Sequence, residues 1–261
     1  MRKEAAVDEG TAHNIIALNN RFYAEHAASF SATRNAPWAG WKHLLAELEE
    51  RGFAQNHGGS KPFTVLDLAC GNLRFERFLA GALPECDLRV TAVDSCVELM
   101  DGSKLPNVSL SRRDILDELL RGPLAAPLAK HPCDLSVCFG FMHHVPDANL
   151  RRRVLDALVD AAAPGGYIAL SCWRFLDDAR LSAKAARTGA PAGIRHDELD
   201  PGDCFLGWQE DSRPLRFCHH IDETELDDLT THVAPRAREL ARWSADGSSG
   251  TLNRYLLLRR R

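Results

Sequence analysis

The feature that most constrains the fold is an alternation of strand-like and helix-like segments that begins at Phe63. Strands that alternate with helices of about ten residues indicate a parallel sheet with helices on both faces. The predicted strands are 63–68, 88–93, 107–110, 133–139 and 167–172, and the helices between them begin near Asn72, Cys96, Asp114 and Asp147.

The C-terminal part of the chain predicts a different strand arrangement. A helix at 224–232 is followed by strands at 239–243 and 251–258, which the short segment 246–250 joins. Neighbouring strands connected by so short a turn must be antiparallel. The predicted fold class is therefore α/β, with a doubly wound, mostly parallel seven-stranded sheet and an antiparallel C-terminal hairpin.

Two regions lie outside this alternation. Apolar residues at helical spacing, around Ile15 and around Leu44, predict two helices before the first strand. Residues 174–221 are rich in Asp, Gly, Pro and Arg and lack clear periodicity, which is typical of a functional loop or a disordered segment. We therefore expect one domain, made of a helical lid at 1–60, a ligand-binding core at 61–173, an insertion at 174–221 and a C-terminal helix and hairpin at 222–261.

Composition narrows the class of protein. The formal net charge of −4 over 261 residues gives no overall cationic field, so charge alone does not imply tight binding to a polyanion. The N-terminus has no apolar signal-peptide core, and no run of about 18 apolar residues occurs, which predicts a cytoplasmic protein that does not associate with membranes. The eight cysteines contain no C-x-x-C pair. We expect buried reduced thiols, without disulfides and without a bound metal.

Acidic residues follow three successive predicted strands. In an open α/β sheet, ligands bind beyond the carboxyl ends of the strands, where the first strand turns into its helix. Gly71 lets the backbone of that turn pass close to a ligand, and Asp67 is placed to accept hydrogen bonds from the turn or from the amino-acid end of a cofactor. Asp94 is placed for ribose hydroxyls and Asp114 for an adenine amino group.

These three acidic residues distinguish a site for a nucleoside without phosphates from a site for a nucleotide phosphate. Three carboxylates would repel a nucleotide phosphate, and the chain lacks a GKS or GKT loop. Turns and helix N-caps explain any one acid, but they do not readily explain all three together. The pattern favours a nucleoside ligand without phosphates.

Five ordered motifs carry a family resemblance. They are VLDLACGN at 65–72, AVD at 92–94, RD at 113–114, FGFMHH at 139–144 and APGGY at 163–167. Over about residues 63–173 they resemble class I S-adenosylmethionine (AdoMet)-dependent methyltransferases. The resemblance implies a Rossmann-like class I fold and AdoMet as the cofactor. The cofactor-binding residues that it implies are Tyr23, Asp67, Ala69, Cys70, Gly71, Asp94, Ser95, Asp114, Ile115, Phe139 and Gly140. The family usually has glycine where this chain has Ala69 and Leu73.

The flanking segments carry a narrower resemblance. The following segments resemble the tRNA wobble-uridine carboxymethyl methyltransferases: Tyr23, FSATR at 30–34, PW at 37–38, the pair His143 and His144, Trp173, GDCFLGW at 202–208 and HHIDETEL at 219–226. That family methylates the carboxylate of 5-carboxymethyluridine in an anticodon loop. The resemblance points to Arg34, Trp38, Trp173 and Trp208 as substrate-binding residues. Arg34 is also a candidate catalytic residue, because a guanidinium pairs with a carboxylate through two hydrogen bonds.

His143 and His144 complete the predicted catalytic residues. One of them orients the acceptor or takes a proton, or both only form hydrogen bonds, and the sequence favours neither reading. A carboxylate acceptor needs no base, because a group with a pKa near ~4 is already ionised at neutral pH. The run Arg151 to Arg153 is interpreted as the solvated face of a helix.

The function stays open at the level of the acceptor. The alternatives to the tRNA enzyme are a small-molecule O- or N-methyltransferase and a catalytically silent AdoMet-binding module. The expected partner is thus a tRNA or a small-molecule acceptor, and a small activating protein partner remains an open alternative.

Overall fold

The structure is a computed structural model that describes residues 7–33, 35–52, 61–100, 105–208, 213 and 215–261. Two helices precede the first strand, as predicted: α1 (Glu9–Ala32) and α2 (Ala39–Glu50). The Asp8 carboxylate caps α1 by accepting hydrogen bonds from the first backbone N–H groups. Residues of both helices, among them Ile15 and Leu44, are fully buried.

The strands and helices of the remaining chain follow the predicted alternation. In order they are β1 (Phe63–Leu68), α3 (Arg74–Ala82), β2 (Leu88–Asp94), α4 (Val97–Met100), β3 (Val108–Arg112), α5 (Ile115–Arg121), β4 (Cys133–Cys138), α6 (Ala148–Ala161), β5 (Ala162–Trp173), α7 (Ala179–Arg187), β6 (Asp203–Gly207), β7 (Leu215–His219), α8 (Glu223–Val233), β8 (Ala237–Ala245) and β9 (Asn253–Arg260). Short 3-10 helices occur at Met142–His144, Phe175–Asp177 and His196–Glu198.

Seven strands form one sheet in the order β3-β2-β1-β4-β5-β9-β8. Strands β1 to β5 pair in parallel, whereas β9 is antiparallel to both β5 and β8. The predicted α/β fold with a C-terminal antiparallel hairpin is therefore confirmed. The strand order reverses at β1, so the carboxyl ends of β1 and β4 flank the crevice in which ligands of such sheets bind.

Apolar residues bury both faces of this sheet. Leu66, Val93 and Leu170 belong to one core cluster, and Val65, Ala92 and Val137 belong to the cluster on the opposite face. Buried parallel strands show this continuous apolar composition because helices cover both faces. The rigid sheet holds the crevice residues in position.

The segment 174–221 is more regular than the sequence indicated. Its described residues contain α7 and the antiparallel hairpin of β6 and β7. Neighbouring residues of the hairpin, such as Phe205 and Leu206, are both buried, and they belong to two different clusters. A strand buried on both faces shows no apolar-polar alternation, which is why the periodicity was missed.

Arg151 corrects the interpretation of the arginine run. Its side chain is only 2% exposed, so it does not belong to a solvated face. It donates hydrogen bonds to the Glu225 carboxylate and to the Val145 carbonyl oxygen, the latter at 2.8 Å. Glu225 lies 74 positions after Arg151 in the chain, and Val145 precedes the helix that contains Arg151. Helical periodicity does not predict such contacts.

No helix in the described ranges is long and apolar enough to span a membrane.

Candidate cofactor and acceptor site

A cavity lies over the carboxyl ends of β1 to β4 and beneath α1 and α2. It brings together all the residues that the sequence proposed for the cofactor. These are Tyr23, Asp67, Ala69, Cys70, Gly71, Asp94, Ser95, Asp114, Ile115, Phe139 and Gly140. The backbone topology thus places the three separate acidic motifs on one cavity wall, while their contacts with a cofactor remain a prediction.

The turn after β1 is held by the end of β2. The N–H of Ala69 donates to the Val93 carbonyl oxygen at 2.7 Å, and the N–H of Gly71 donates to Asp94 Oδ2 at 2.8 Å. Asp94 Oδ1 accepts a further bond from the N–H of Cys96 at 2.8 Å. The Asp94 carboxylate is therefore fixed by backbone on two sides, and each oxygen keeps a second lone pair for a ligand hydroxyl.

Asp67 has a buried acidic neighbour that the sequence analysis missed. Glu76 is fully buried, and its carboxyl group lies beside that of Asp67, with which it shares a hydrogen bond when one of the two is protonated. Burial raises the pKa of Glu76 to about 7, and burial together with the charge of Glu76 raises the pKa of Asp67. The pair therefore retains a proton near neutral pH. A cationic group, such as the ammonium of a methionine moiety, fits beside it because it would balance the second charge.

The third acid is bound to the lid helix. Asp114 Oδ1 caps α5 by accepting from the N–H of Asp117, and Oδ2 accepts from Asn20 Nδ2 at 2.6 Å. Ser95 Oγ donates to Asn20 Oδ1 at 3.4 Å. Asn20 therefore fastens α1 to the ends of β2 and β3. The only sequence signal for it was a pair of asparagines within an otherwise amphipathic helix.

His144 is uncharged, and it forms hydrogen bonds with helix α1 and with strand β7. Its Nδ1 lies 2.9 Å from the Phe217 carbonyl oxygen, which only accepts, so Nδ1 carries the hydrogen. Its Nε2 then accepts from the Tyr23 hydroxyl at 2.7 Å. Burial, together with the positive charge of Arg216, lowers the pKa of His144 to about 3. The imidazole is therefore uncharged at neutral pH, and both of its nitrogens are engaged.

The other residues predicted to contact the acceptor differ in whether they line the cavity. Trp38 lines the cavity, with its ring 5.0 Å from that of Trp41. His143 does not line it, and its ring lies 4.0 Å from His144 and 5.2 Å from Trp173. Trp173 and Trp208 are not among the cavity-lining residues, and both contact the guanidinium of Arg216. Arg34 lies outside the described residues.

One group of side chains has the spacing of metal ligands. Ligand atoms of His143, His144 and Cys218 lie within 4.8 Å of one another. His144 is already engaged at both nitrogens, and burial raises the pKa of the Cys218 thiol to about 11, which keeps it protonated. A metal would have to displace these hydrogen bonds and a proton. The absence of a bound metal remains a prediction.

Comparison with known proteins identifies the domain. Residues 66–170 match a family model described as a methyltransferase domain. This chain carries a class I AdoMet-dependent methyltransferase domain. The predictions of the class I fold and of AdoMet as the cofactor are confirmed for this domain.

Solved structures show the same fold. An AdoMet-dependent methyltransferase from Methanosarcina mazei is similar, with a TM-score of 0.56 and 15% identity, over 80% of this chain and 96% of that one. The 1,6-didemethyltoxoflavin-N1-methyltransferase of Burkholderia thailandensis, solved with 1,6-didemethyltoxoflavin and S-adenosylhomocysteine, also has a TM-score of 0.56, at 14% identity. That alignment covers 96% of this chain and 90% of the other.

A curated relative resembles the chain beyond the domain. The tRNA (carboxymethyluridine(34)-5-O)-methyltransferase of Arabidopsis thaliana is 23% identical over 208 residues, which is 79% of this chain. The alignment covers 45% of the relative, so this chain spans less than half of that protein's length. Because 208 residues exceed the matched domain, the similarity includes flanking segments.

Proposed function

We propose that this chain methylates the carboxylate of a 5-carboxymethyluridine-type wobble base in tRNA. The observation that carries the proposal is the state of His144, which lines the cavity. Its imidazole is neutral, its Nε2 lone pair is occupied by the Tyr23 hydroxyl, and its pKa is lowered to about 3. Such a histidine is a poor base, which suits an acceptor that arrives already ionised.

The chemistry follows from this arrangement. Bound AdoMet supplies the methyl group on a sulfonium. With AdoMet held beside Asp67 and Asp94, an acceptor carboxylate oxygen would take the methyl carbon, and the electron pair of the broken carbon–sulfur bond would remain on sulfur. No proton is transferred, so the task of the protein is to align oxygen, carbon and sulfur and to exclude water. The hydrogen-bonded lid helix α1, through Asn20 and Tyr23, serves that alignment.

Similarity to the Arabidopsis tRNA enzyme supports this acceptor, because the alignment extends over 208 residues, beyond residues 66–170 that match the methyltransferase domain model. The net charge of −4 favours a second candidate, a small-molecule methyltransferase, since tRNA is a polyanion. The two candidates differ in the molecule that receives the methyl group, which is a tRNA wobble nucleoside for the first and a small metabolite for the second.

Nucleoside mass spectrometry of tRNA from cells that lack this chain distinguishes them. We expect the methyl ester of 5-carboxymethyluridine to disappear and the free carboxylate to accumulate, with restoration by the wild-type gene. Unchanged wobble nucleosides, with a small metabolite missing its methyl group, would favour the second candidate. If the tRNA nucleosides and the small metabolites all keep their methyl groups, the remaining alternative is a catalytically silent AdoMet-binding module.

A further inference from the structure

Arg216, in β7, is a buried cation with no matching anion among the described residues. Its side chain is 8% exposed, and its Nε and Nη1 atoms are buried without a hydrogen-bond partner. Within the described part of the chain, no carboxylate forms an ion pair with it. A guanidinium stays charged at any physiological pH, and burying an unpaired charge is unfavourable.

Aromatic rings surround this guanidinium. Its central carbon lies 5.1 Å from the ring centre of Trp208, 5.3 Å from that of Phe22 and 5.5 Å from that of Trp173. Ring faces attract a cation, but they carry no net charge and do not replace an anion. The three rings and Arg216 are called the aromatic cage below.

The two described titratable groups that interact with Arg216, His144 and Cys218, do not neutralise it. The imidazole of His144 is uncharged at neutral pH, and the Cys218 thiol stays protonated. The positive charge of Arg216 also contributes to the low pKa of His144. As far as the described residues show, the cage therefore keeps a net positive charge close to His144, which lines the cavity.

The aromatic cage adjoins the cavity through shared segments. Phe22 precedes Tyr23 in α1, and the Trp208 ring lies 5.6 Å from Phe30, which lines the cavity with Tyr23. Arg216 precedes Phe217, whose carbonyl oxygen fixes His144. A flat acceptor ring that entered beside Tyr23 and Phe30 would meet Trp208 next.

We propose that Arg216 is the anion-binding residue of the acceptor subsite and that it binds a carboxylate carried by an aromatic ring. Trp173 and Trp208 supply the faces against which that ring packs. The inference rests on the proposed function and deepens it, because it identifies the residue that selects an ionised acceptor. A buried guanidinium recognises a carboxylate through charge-assisted hydrogen bonds, which an uncharged amide of the same shape does not form equally well.

Two pairs of probes test this subsite. Titration calorimetry on protein saturated with S-adenosylhomocysteine compares 5-carboxymethyluridine with its uncharged amide, and phenylacetate with phenylacetamide. We expect the wild type to bind each carboxylate at least tenfold more tightly than its amide. Arg216→Met should abolish this preference, and Arg216→Lys should retain part of it.

The matched control is Arg259→Met. Arg259 also lies over an aromatic ring, 5.7 Å from the centre of Tyr167, but it is in β9 and outside the cavity lining. This control should keep the carboxylate preference. Binding of S-adenosylhomocysteine should be unchanged in all variants, which shows that they are folded.

The outcomes separate this proposal from the proposed function. A preference of the wild type for phenylacetate that Arg216→Met removes supports the carboxylate subsite even if wobble uridine proves to be the wrong acceptor. Equal binding of acid and amide, no binding of either carboxylate, or a preference that survives Arg216→Met would overturn it, even if tRNA is methylated.

Discussion

At the scale of single residues, the turn after β1 places two residues other than glycine, Ala69 and Leu73, in a backbone conformation that favours glycine. Ala69, Gly71 and Leu73 all adopt positive φ, at 64°, 55° and 58°. This left-handed conformation is unfavourable by about 1 kcal/mol for a residue with a Cβ atom. Leu73 is also fully buried, and its apolar contacts offset that strain. Ala69 has only a methyl group with which to do so.

Ala69→Gly should therefore raise the free energy of unfolding by about 0.5 to 1 kcal/mol, because glycine relieves the strain at φ 64°. Gly71→Ala in the same turn is the converse change and should lower it by a similar amount. Urea unfolding followed by circular dichroism measures both. Equal signs for the two substitutions would show that backbone strain does not dominate this turn.

At the scale of elements, helix α1 closes the cavity through polar contacts. Asn20 bonds Asp114 at the end of β3, and Tyr23 bonds His144 after β4. Hydrogen bonds to a charged group typically contribute about 1.5 to 3 kcal/mol, so the contact with Asp114 is the stronger of the two. The lid is thus fastened to the residue that is predicted to hold the adenine ring.

Asn20→Asp should loosen this lid, because a second carboxylate would face Asp114 at hydrogen-bond distance. We expect AdoMet to bind about tenfold more weakly, equivalent to about 1.4 kcal/mol, and the amides of α1 to exchange faster. Titration calorimetry and hydrogen exchange report the two effects. Asn14→Asp, at an exposed position of the same helix, is the matched control. If both variants bind AdoMet equally well, Asn20 does not couple the lid to the site.

At the scale of the whole molecule, one buried ionic junction joins the hairpin of β6 and β7 to the core. His219 Nδ1 bonds Asp203 at 2.6 Å, and Nε2 bonds Glu225 at 2.7 Å. Burial and the charge of Arg151 lower the pKa of His219, but the bonds to the two carboxylates outweigh them, and the net pKa is raised. Burial opposes ionisation of Glu225, yet its bonds to His219 and Arg151 lower its pKa to about 2.

These shifts fix the sign of a pH dependence. Because the folded-state pKa of His219 exceeds its ordinary value of 6.5, its contribution is fully present below that pH and is lost as the pH rises through the folded-state pKa. Glu225 acts in the opposite sense, and its contribution disappears as the pH falls from 4.5 towards 2.

His219→Gln should lower the free energy of unfolding by about 2 kcal/mol at pH 6 and by less at pH 9. Thermal unfolding over this pH range measures the difference. His232→Gln removes a half-exposed histidine that bonds Asp156, and it should cost under about 1 kcal/mol. A loss for His219→Gln that is constant from pH 6 to pH 9 would contradict a charged His219.

Sequence patterns predicted those parts of the molecule that local chemistry determines. The bounds of β1 and the position of Asp94 at the end of β2 follow from apolar runs and from the strand-turn-helix pattern. The contacts of Asn20 with Asp114 and of Arg151 with Glu225 join residues 94 and 74 positions apart. The aromatic cage around Arg216 likewise combines α1, β5, β7 and the residue after β6. Such pairings depend on the packed fold, and no local pattern encodes them.

The most direct test of this account is transfer of a deuterated methyl group from labelled AdoMet. The protein is purified with any partner that it retains and is incubated with tRNA that carries 5-carboxymethyluridine, and the nucleosides are analysed by mass spectrometry. We predict that the label is found in the methyl ester of the wobble nucleoside and that hydrolysis with mild base releases it as methanol. Label that appears only on another nucleoside or on a small metabolite, or that stays in AdoMet, would contradict the account.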